Sequence, residues 1–199
     1  MPRPLLYYVR HGLTDWNVEG RLQGRKDVPL NARGRAQAAQ SGELLRGLFA
    51  RDGKEPGHYG YVSSPLIRAS ETMDIVRSTL GLERAGYRTD ERLAEIAFGT
   101  WEGLTYRDVL KRDPYVVEKR ERSKWLFRPP GGETYEEVAE RMAAWLATIE
   151  QDTVVTAHGG TARALVAVLG VADRETAVHE SIDQGVVYVF ADNRMARYG

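Results

Sequence analysis

Three short stretches hold most of the reactive side chains, and each follows an apolar or alternating run. Arg10-His11-Gly12 comes after residues 5–9, Ser63-Ser64-Pro65 with Arg68 one turn further comes after Tyr59 and Tyr61, and His158-Gly159-Gly160 comes after residues 153–157. Arginine suits bidentate binding of a tetrahedral oxyanion, and its charge is permanent. Imidazole titrates near pH ~6.5, so it serves as a nucleophile or a donor at neutral pH. The glycines let backbone N–H groups approach the same anion beside helix N-termini, where negative charge is favoured. If the three junctions open on one sheet edge, two imidazoles and two guanidinium groups converge, and their ligand is a phosphoryl group. Taken singly, a strand-end histidine is more often a hydrogen-bonded structural residue. The joint occurrence is hard to explain by packing, which has no use for that much positive charge in one place.

The runs that carry these junctions read as buried strands at 5–9, 59–63 and 153–157, with further strands at 87–93 and 185–190. Between them lie helical patterns. Leu44, Leu45, Leu48 and Phe49 share a face within 34–50, and Leu66, Ala69, Met73, Val76 and Leu80 recur at spacings of three and four. Ser64-Pro65 reads as the N-cap and first position of that second helix, with Gly81 at its C-terminal cap. Thr134 and Glu137 form a capping-box pattern opening a helix with Val138, Met142, Trp145 and Ile149 on its buried side, and another helix spans 161–169. Residues 95–103 read as a loop. Residues 104–124 read as two short surface helices about Asp113-Pro114, with the charged run 111–124 a solvated face or a roof over the site. The expectation is one α/β domain over 1–199: a three-layer sandwich with a mostly parallel sheet, helices on both faces and a helical insertion at about 104–130. In such sheets ligands bind beyond the carboxyl ends of the strands.

Composition removes several alternatives. The 199 residues include 28 Lys+Arg against 28 Asp+Glu, four His and no Cys, with 42% hydrophobic residues. Zero net charge disfavours nucleic-acid binding through an overall field. Without cysteine there is no disulfide, no thiolate zinc site and no thiol nucleophile. The apolar run at 5–9 is too short for the core of a signal peptide, and no window approaches a membrane span of ~20 residues. The expected protein is cytoplasmic, a monomer or homodimer, with a small phosphorylated substrate and neither nucleic acid nor membrane as a partner.

The motifs, taken in order, resemble those of the histidine phosphatase superfamily, the phosphoglycerate-mutase-like proteins. Val9-Arg10-His11-Gly12 through Asn17 is similar to the family's nucleophile motif, and Arg21-Leu22-Gln23-Gly24 through Leu30 to the segment that follows it. The resemblance continues in Gly34 with Gln37-Ala38, in Ser63 to Thr72, in Leu93 to Gly103, in Pro130-Gly131-Gly132-Glu133-Thr134 and in His158-Gly159-Gly160. It implies that His11 attacks phosphorus and forms a phosphohistidine, with Arg10, Arg68 and His158 clamping the phosphoryl oxygens. Glu95 would protonate the leaving oxygen and then take a proton from water. Asn17, Gln23, Gly24 and Gly159 would add phosphate or substrate contacts, although short polar loop residues bond their own backbone about as often. Glu102 is a second carboxyl in the same loop, and spacing leaves it open as the acid. Gln184 approaches from the start of the last strand, and His58 and His179 read as surface residues. The scheme needs no metal and no cofactor. Phe98-Gly99-Thr100-Trp101-Glu102-Gly103 and the proline–glycine segment are similar to the phosphatase branch. The expected activity is therefore a phosphomonoesterase, with mutase-type transfer or a non-catalytic phospholigand module as alternatives. Specificity would lie in 104–130 and around 21–26, where Arg21, Arg25 and Lys26 suit an acidic substrate.

Overall fold

The computed structural model describes residues 3–112 and 114–199. Met1, Pro2 and Asp113, the residue at which the insertion was expected to divide, lie outside the described residues. The central strand β1 (Leu6–Arg10) is apolar and aromatic from Leu6 to Val9, and these side chains alternate between two cores. Tyr7 and Val9 join Leu45, Phe49, Met73 and Val76, from helices α2 (Ala32–Arg51) and α3 (Ile67–Thr79). Leu6 and Tyr8 join Val138, Met142, Trp145 and Leu165, from α6 (Tyr135–Leu146) and α7 (Gly159–Val168). A strand buried on both faces in this way needs a helix layer on each side.

Four strands run parallel, β3 (Arg88–Thr89), β2 (Gly60–Ser63), β4 (Thr153–Ala157) and β1, and the order β3-β2-β4-β1 continues through antiparallel β5 (Val187–Ala191) and β6 (Arg194–Tyr198). This is the expected α/β class with a mostly parallel sheet. The short helices are α1 (Asp15–Val18), α4 (Tyr106–Arg112), α5 (Pro114–Arg122) and α8 (Arg174–Ala177). Helices α4 and α5 close a small core of their own, in which Trp101, Val109 and Val117 pack with Leu22, Phe98 and Phe127. Among the described residues no helix is long and apolar enough to cross a membrane.

Several elements differ from the sequence reading. The strand expected at 87–93 pairs only over Arg88–Thr89, because the Asp90 side chain accepts from the Arg92 amide at 3.0 Å and draws Glu91–Leu93 into a 3₁₀ turn. Helix α3 starts at Ile67 with Leu66 as its cap, so Ser64 is not the N-cap and Pro65 not the first helical residue. Helix α6 ends at Leu146, and Ile149 packs against the core from beyond it. The last expected strand is the first half of a hairpin, whose turn residues Asp192 (φ 46°) and Asn193 (φ 59°) both adopt the left-handed conformation that matches strand twist.

Candidate active site

The register of the sheet assembles the site. Arg10 lies beside Ala157 across β1–β4, and Ser63 lies beside Thr156 across β2–β4, so the three expected junctions leave neighbouring strands at one edge. The ladders extend one step further, with the His11 amide donating to Ala157 O and the Ser64 amide to Thr156 O, both at 2.9 Å. The His11 and His158 rings end 5.2 Å apart, centroid to centroid, and both are buried.

The two imidazoles are held in opposite ways. His11 Nδ1 lies 2.8 Å from the carbonyl of Gly12. A carbonyl only accepts, so Nδ1 carries the proton and Nε2 keeps its lone pair. Burial, with the Arg68 and Arg10 charges, holds the His11 pKa well below 6.5 and keeps the ring neutral. His158 Nε2 instead meets Ser64 Oγ at 2.7 Å, and Ser64 Oγ also accepts from the Leu66 amide at 3.3 Å. Nε2 is the one acceptor among the described residues for the buried Ser64 hydroxyl proton, so the Ser64 O–H points to Nε2 and the proton of the neutral His158 ring sits on Nδ1. Burial and the Arg68 charge push the His158 pKa down as well. This bond is why Ser64 does not cap α3.

Each of the two arginines is anchored at one end. Arg68, fully buried, donates from Nη1 to Lys26 O and from Nη2 to Gly24 O, both at 2.8 Å. Arg10 Nη1 donates to Ile182 O at 2.7 Å. Burial lowers both guanidinium pKa values, and Glu95 opposes the shift in each. What remains is unsatisfied: Arg10 Nε, Arg68 Nε and His158 Nδ1 are buried and without a hydrogen-bond partner. Leaving one such group unpaired costs about 1–3 kcal/mol, more when it is charged. Three on the three expected clamp residues describe a site built for an anion.

The loop carboxylates are now distinguishable. Glu95 Oε1 accepts from the Ile96 and Gly160 amides at 3.0 Å, which seats it at the N-terminus of α7 beside His158. A Cβ on Gly160 would fall 2.4 Å from that oxygen, so Gly160 rather than Gly159 is the glycine this contact requires. Glu102 Oε1 accepts from the Arg25 and Phe98 amides at 3.0 and 3.1 Å, tying two loops together. It also fills the space beside Gly24, which has φ +52° and whose Cβ would lie 2.1 Å from it. Glu102 is thereby structural.

The remaining expected residues are all near, in varied settings. Asn17 Oδ1 collects the Thr14 amide, the Thr14 hydroxyl and Gln184 Nε2 at 3.1–3.2 Å, and Gln184 Nε2 also donates to His11 O at 3.1 Å. Gln23 is buried with Oε1 unpartnered. Gly159 leaves open a position 3.7 Å from the Arg10 guanidinium and 3.4 Å from Arg163 Nη1. Arg21 pairs with Glu19 and Arg25 with Glu133. His58 and His179 are exposed, as expected.

The profile of the histidine phosphatase superfamily (branch 1) matches residues 6–193. The chain belongs to that superfamily. Its relatives carry different names. It is 34% identical to a 2,3-bisphosphoglycerate-dependent phosphoglycerate mutase of Methylobacterium radiotolerans over 83% of this chain and 78% of that one. It is 32% identical to an uncharacterized phosphatase, PhoE, of Bacillus subtilis, over 84% and 78%. Among solved structures, a putative alpha-ribazole-5'-P phosphatase from Escherichia coli superposes with a TM-score of 0.80 at 26% identity, covering 98% of this chain and 94% of that one.

Within this histidine phosphatase superfamily site, two residues escaped the sequence reading. Ser64 was read as a cap and is the partner of His158. Arg163 was given no role within the helix read at 161–169, yet it stands one turn beyond His158-Gly159-Gly160, just as Arg68 stands one turn beyond Ser64. That parallel was available in the sequence.

Proposed function

We propose that this chain is a metal-independent phosphomonoesterase that works through a phosphohistidine on His11. The observation that carries the reading is the trio of buried, unpartnered donors at Arg10, Arg68 and His158 around a neutral imidazole whose Nε2 lone pair is free of its own backbone. In the first half, Nε2 attacks phosphorus, the P–O bond to the leaving group breaks, and Glu95 in its acid form gives the departing oxygen its proton. In the second half, water attacks phosphorus, the Glu95 carboxylate takes a water proton, the P–N bond breaks, and His11 returns neutral. The side-chain donors hold the three equatorial oxygens throughout and need not reorganise as charge shifts.

The test is brief exposure to a labelled phosphomonoester with chelator present, an alkaline quench and peptide mapping. Label on the peptide containing His11, with turnover indifferent to chelator, is expected. Label on Ser63 or Thr14, or turnover that stops with chelator and returns with magnesium or zinc, overturns the reading. The mutase-named relative supports a second reading, transfer to another hydroxyl of the substrate. 3-Phosphoglycerate separates the two: free phosphate or no reaction fits the phosphatase, and 2-phosphoglycerate formed only with a bisphosphoglycerate primer fits the mutase.

A further inference from the structure

The two peptides that follow His11 are held by side chains from three distant parts of the chain. In the first, the His11 carbonyl accepts from Gln184 Nε2 and the Gly12 amide donates to Thr72 Oγ1 on α3, both at 3.1 Å. The Thr72 hydroxyl passes its own proton to the Arg68 carbonyl at 2.7 Å. In the second, the Gly12 carbonyl accepts from His11 Nδ1 at 2.8 Å, and the Leu13 amide donates to Oε1 of Gln37 on α2 at 2.9 Å. All four backbone groups thus bond to side chains.

The second peptide decides which nitrogen of His11 carries the proton. In a planar trans peptide the N–H and the C=O point in opposite directions, so whatever holds the Leu13 N–H also aims the Gly12 carbonyl. Gly12 has no Cβ with which to restrict that plane. Its bareness serves another end, since a Cβ there would lie 2.1 Å from Gly34 O, and one on Gly34 would lie 2.1 Å from Leu13 O. The two glycines let the loop after His11 settle against the first turn of α2. Gln37 stands three residues beyond Gly34 on the same helix, hence on the same side of it, and so reaches the loop. Polarisation of the peptide through its bonded N–H also makes the Gly12 carbonyl a better acceptor for Nδ1–H.

We propose that Gln37 is a positioning residue for the nucleophile: by holding the Leu13 N–H it fixes the plane of the Gly12–Leu13 peptide, which keeps the proton on His11 Nδ1 and the lone pair on Nε2. Gln37 touches neither the ring nor the phosphoryl group. The proposal rests on the phosphomonoesterase reading.

The test uses two substitutions. Gln37→Met keeps the length and helix preference of the side chain and removes the acceptor, and Gln37→Glu keeps an acceptor oxygen. Nitrogen-15 shifts of the His11 ring should show one tautomer in the native protein and in Gln37→Glu, and a mixture in Gln37→Met. Single-turnover formation of phosphohistidine from labelled nitrophenyl phosphate should slow by about 10-fold in Gln37→Met and recover in Gln37→Glu. Inhibition by inorganic phosphate should stay at the native level in both, because Arg10, Arg68 and His158 are untouched, and this also shows that the site has folded. A His11 spectrum that Gln37→Met leaves unchanged, a Gln37→Glu protein as impaired as Gln37→Met, or phosphate affinity lost in step with the rate overturns the role of Gln37 while the phosphomonoesterase reading stands. If the native protein forms no phosphohistidine, that reading falls and the proposal with it.

Discussion

The two histidine junctions begin alike and end as opposites. Each is an imidazole followed by glycine at the carboxyl end of a central parallel strand, buried within reach of the same arginines. After His11 the chain runs on through a loop, and the carbonyl of Gly12 turns back to take the Nδ1 proton. After His158 the chain enters α7 at once, and the partner of the ring comes from β2's junction instead, as Ser64 on Nε2. One neighbour is an obligate acceptor and the other a hydroxyl whose proton has no other acceptor among the described residues. Those neighbours leave one ring a free lone pair on Nε2 and the other an N–H on Nδ1, although residue type and burial are the same. Role is set by the second atom along, not by the histidine.

The sharpest break of this symmetry is His11→Ala. It should abolish labelling and lower turnover by on the order of 10⁴–10⁶-fold, as loss of a nucleophile does. His158→Ala should still label at His11 in a quench experiment, with turnover down about 10²–10³-fold, the scale for an oxyanion donor. Equal loss of labelling in both would mean the two rings are not differentiated as described. Gly160→Ala pushes a methyl group against Glu95 Oε1 and the Ile96 side chain. It should slow alkyl phosphates far more than nitrophenyl phosphate, whose leaving group hardly needs a proton; stopped-flow release from both esters, with Glu102→Gln as the contrasting variant, measures this. Ser64→Ala removes the group that directs the His158 proton, together with the long bond from the Leu66 amide, and should cost roughly 10-fold, the low end for a group orienting a functional imidazole. Nitrogen-15 chemical shifts of the His158 ring should then show a mixed tautomer where the native protein shows one.

The smallest effect is on stability. Both rings have folded pKa values below the ordinary 6.5, so under acid conditions the unfolded chain binds protons that the folded one refuses. This contribution is complete above about pH 6.5 and is lost as pH falls toward the folded values, at about 1.4 kcal/mol per pH unit for each ring. Urea midpoints between pH 7.5 and 5.5 should fall in the native protein and fall less steeply in His158→Gln.

Much of this architecture was legible because it is local. The spacing of Leu66, Ala69, Met73 and Val76 needs only one helix to be meaningful, and the Thr134–Glu137 box closes within four residues. Some errors sit where distant residues compete for a group, and others in short side-chain and hairpin turns. Ser64 looks like a cap until His158, 94 residues away, claims it. Asp90 looks like part of a strand until its side chain takes the Arg92 amide. The hairpin at Asp192-Asn193 carried a readable turn signal that went unused. Arg10, His11, Arg68, Glu95 and His158 could be named from motifs, but which nitrogen holds which proton depends on carbonyls and hydroxyls whose positions no periodicity encodes.

The β1–β4 pairing also fixes when the site can exist. The Tyr8 hydroxyl donates to the carbonyl of His158 at 2.7 Å across a separation of 150 residues, and His11 and His158 are neighbours only through that pairing. Closing so long a loop is among the slower events in folding. A chain emerging from the ribosome therefore carries Arg10, His11 and Arg68 well before His158 has been made and can close the site. Recovery of anion binding on refolding should track the final cooperative step and not the earlier growth of helix. The chemistry is thereby withheld from every partly folded form.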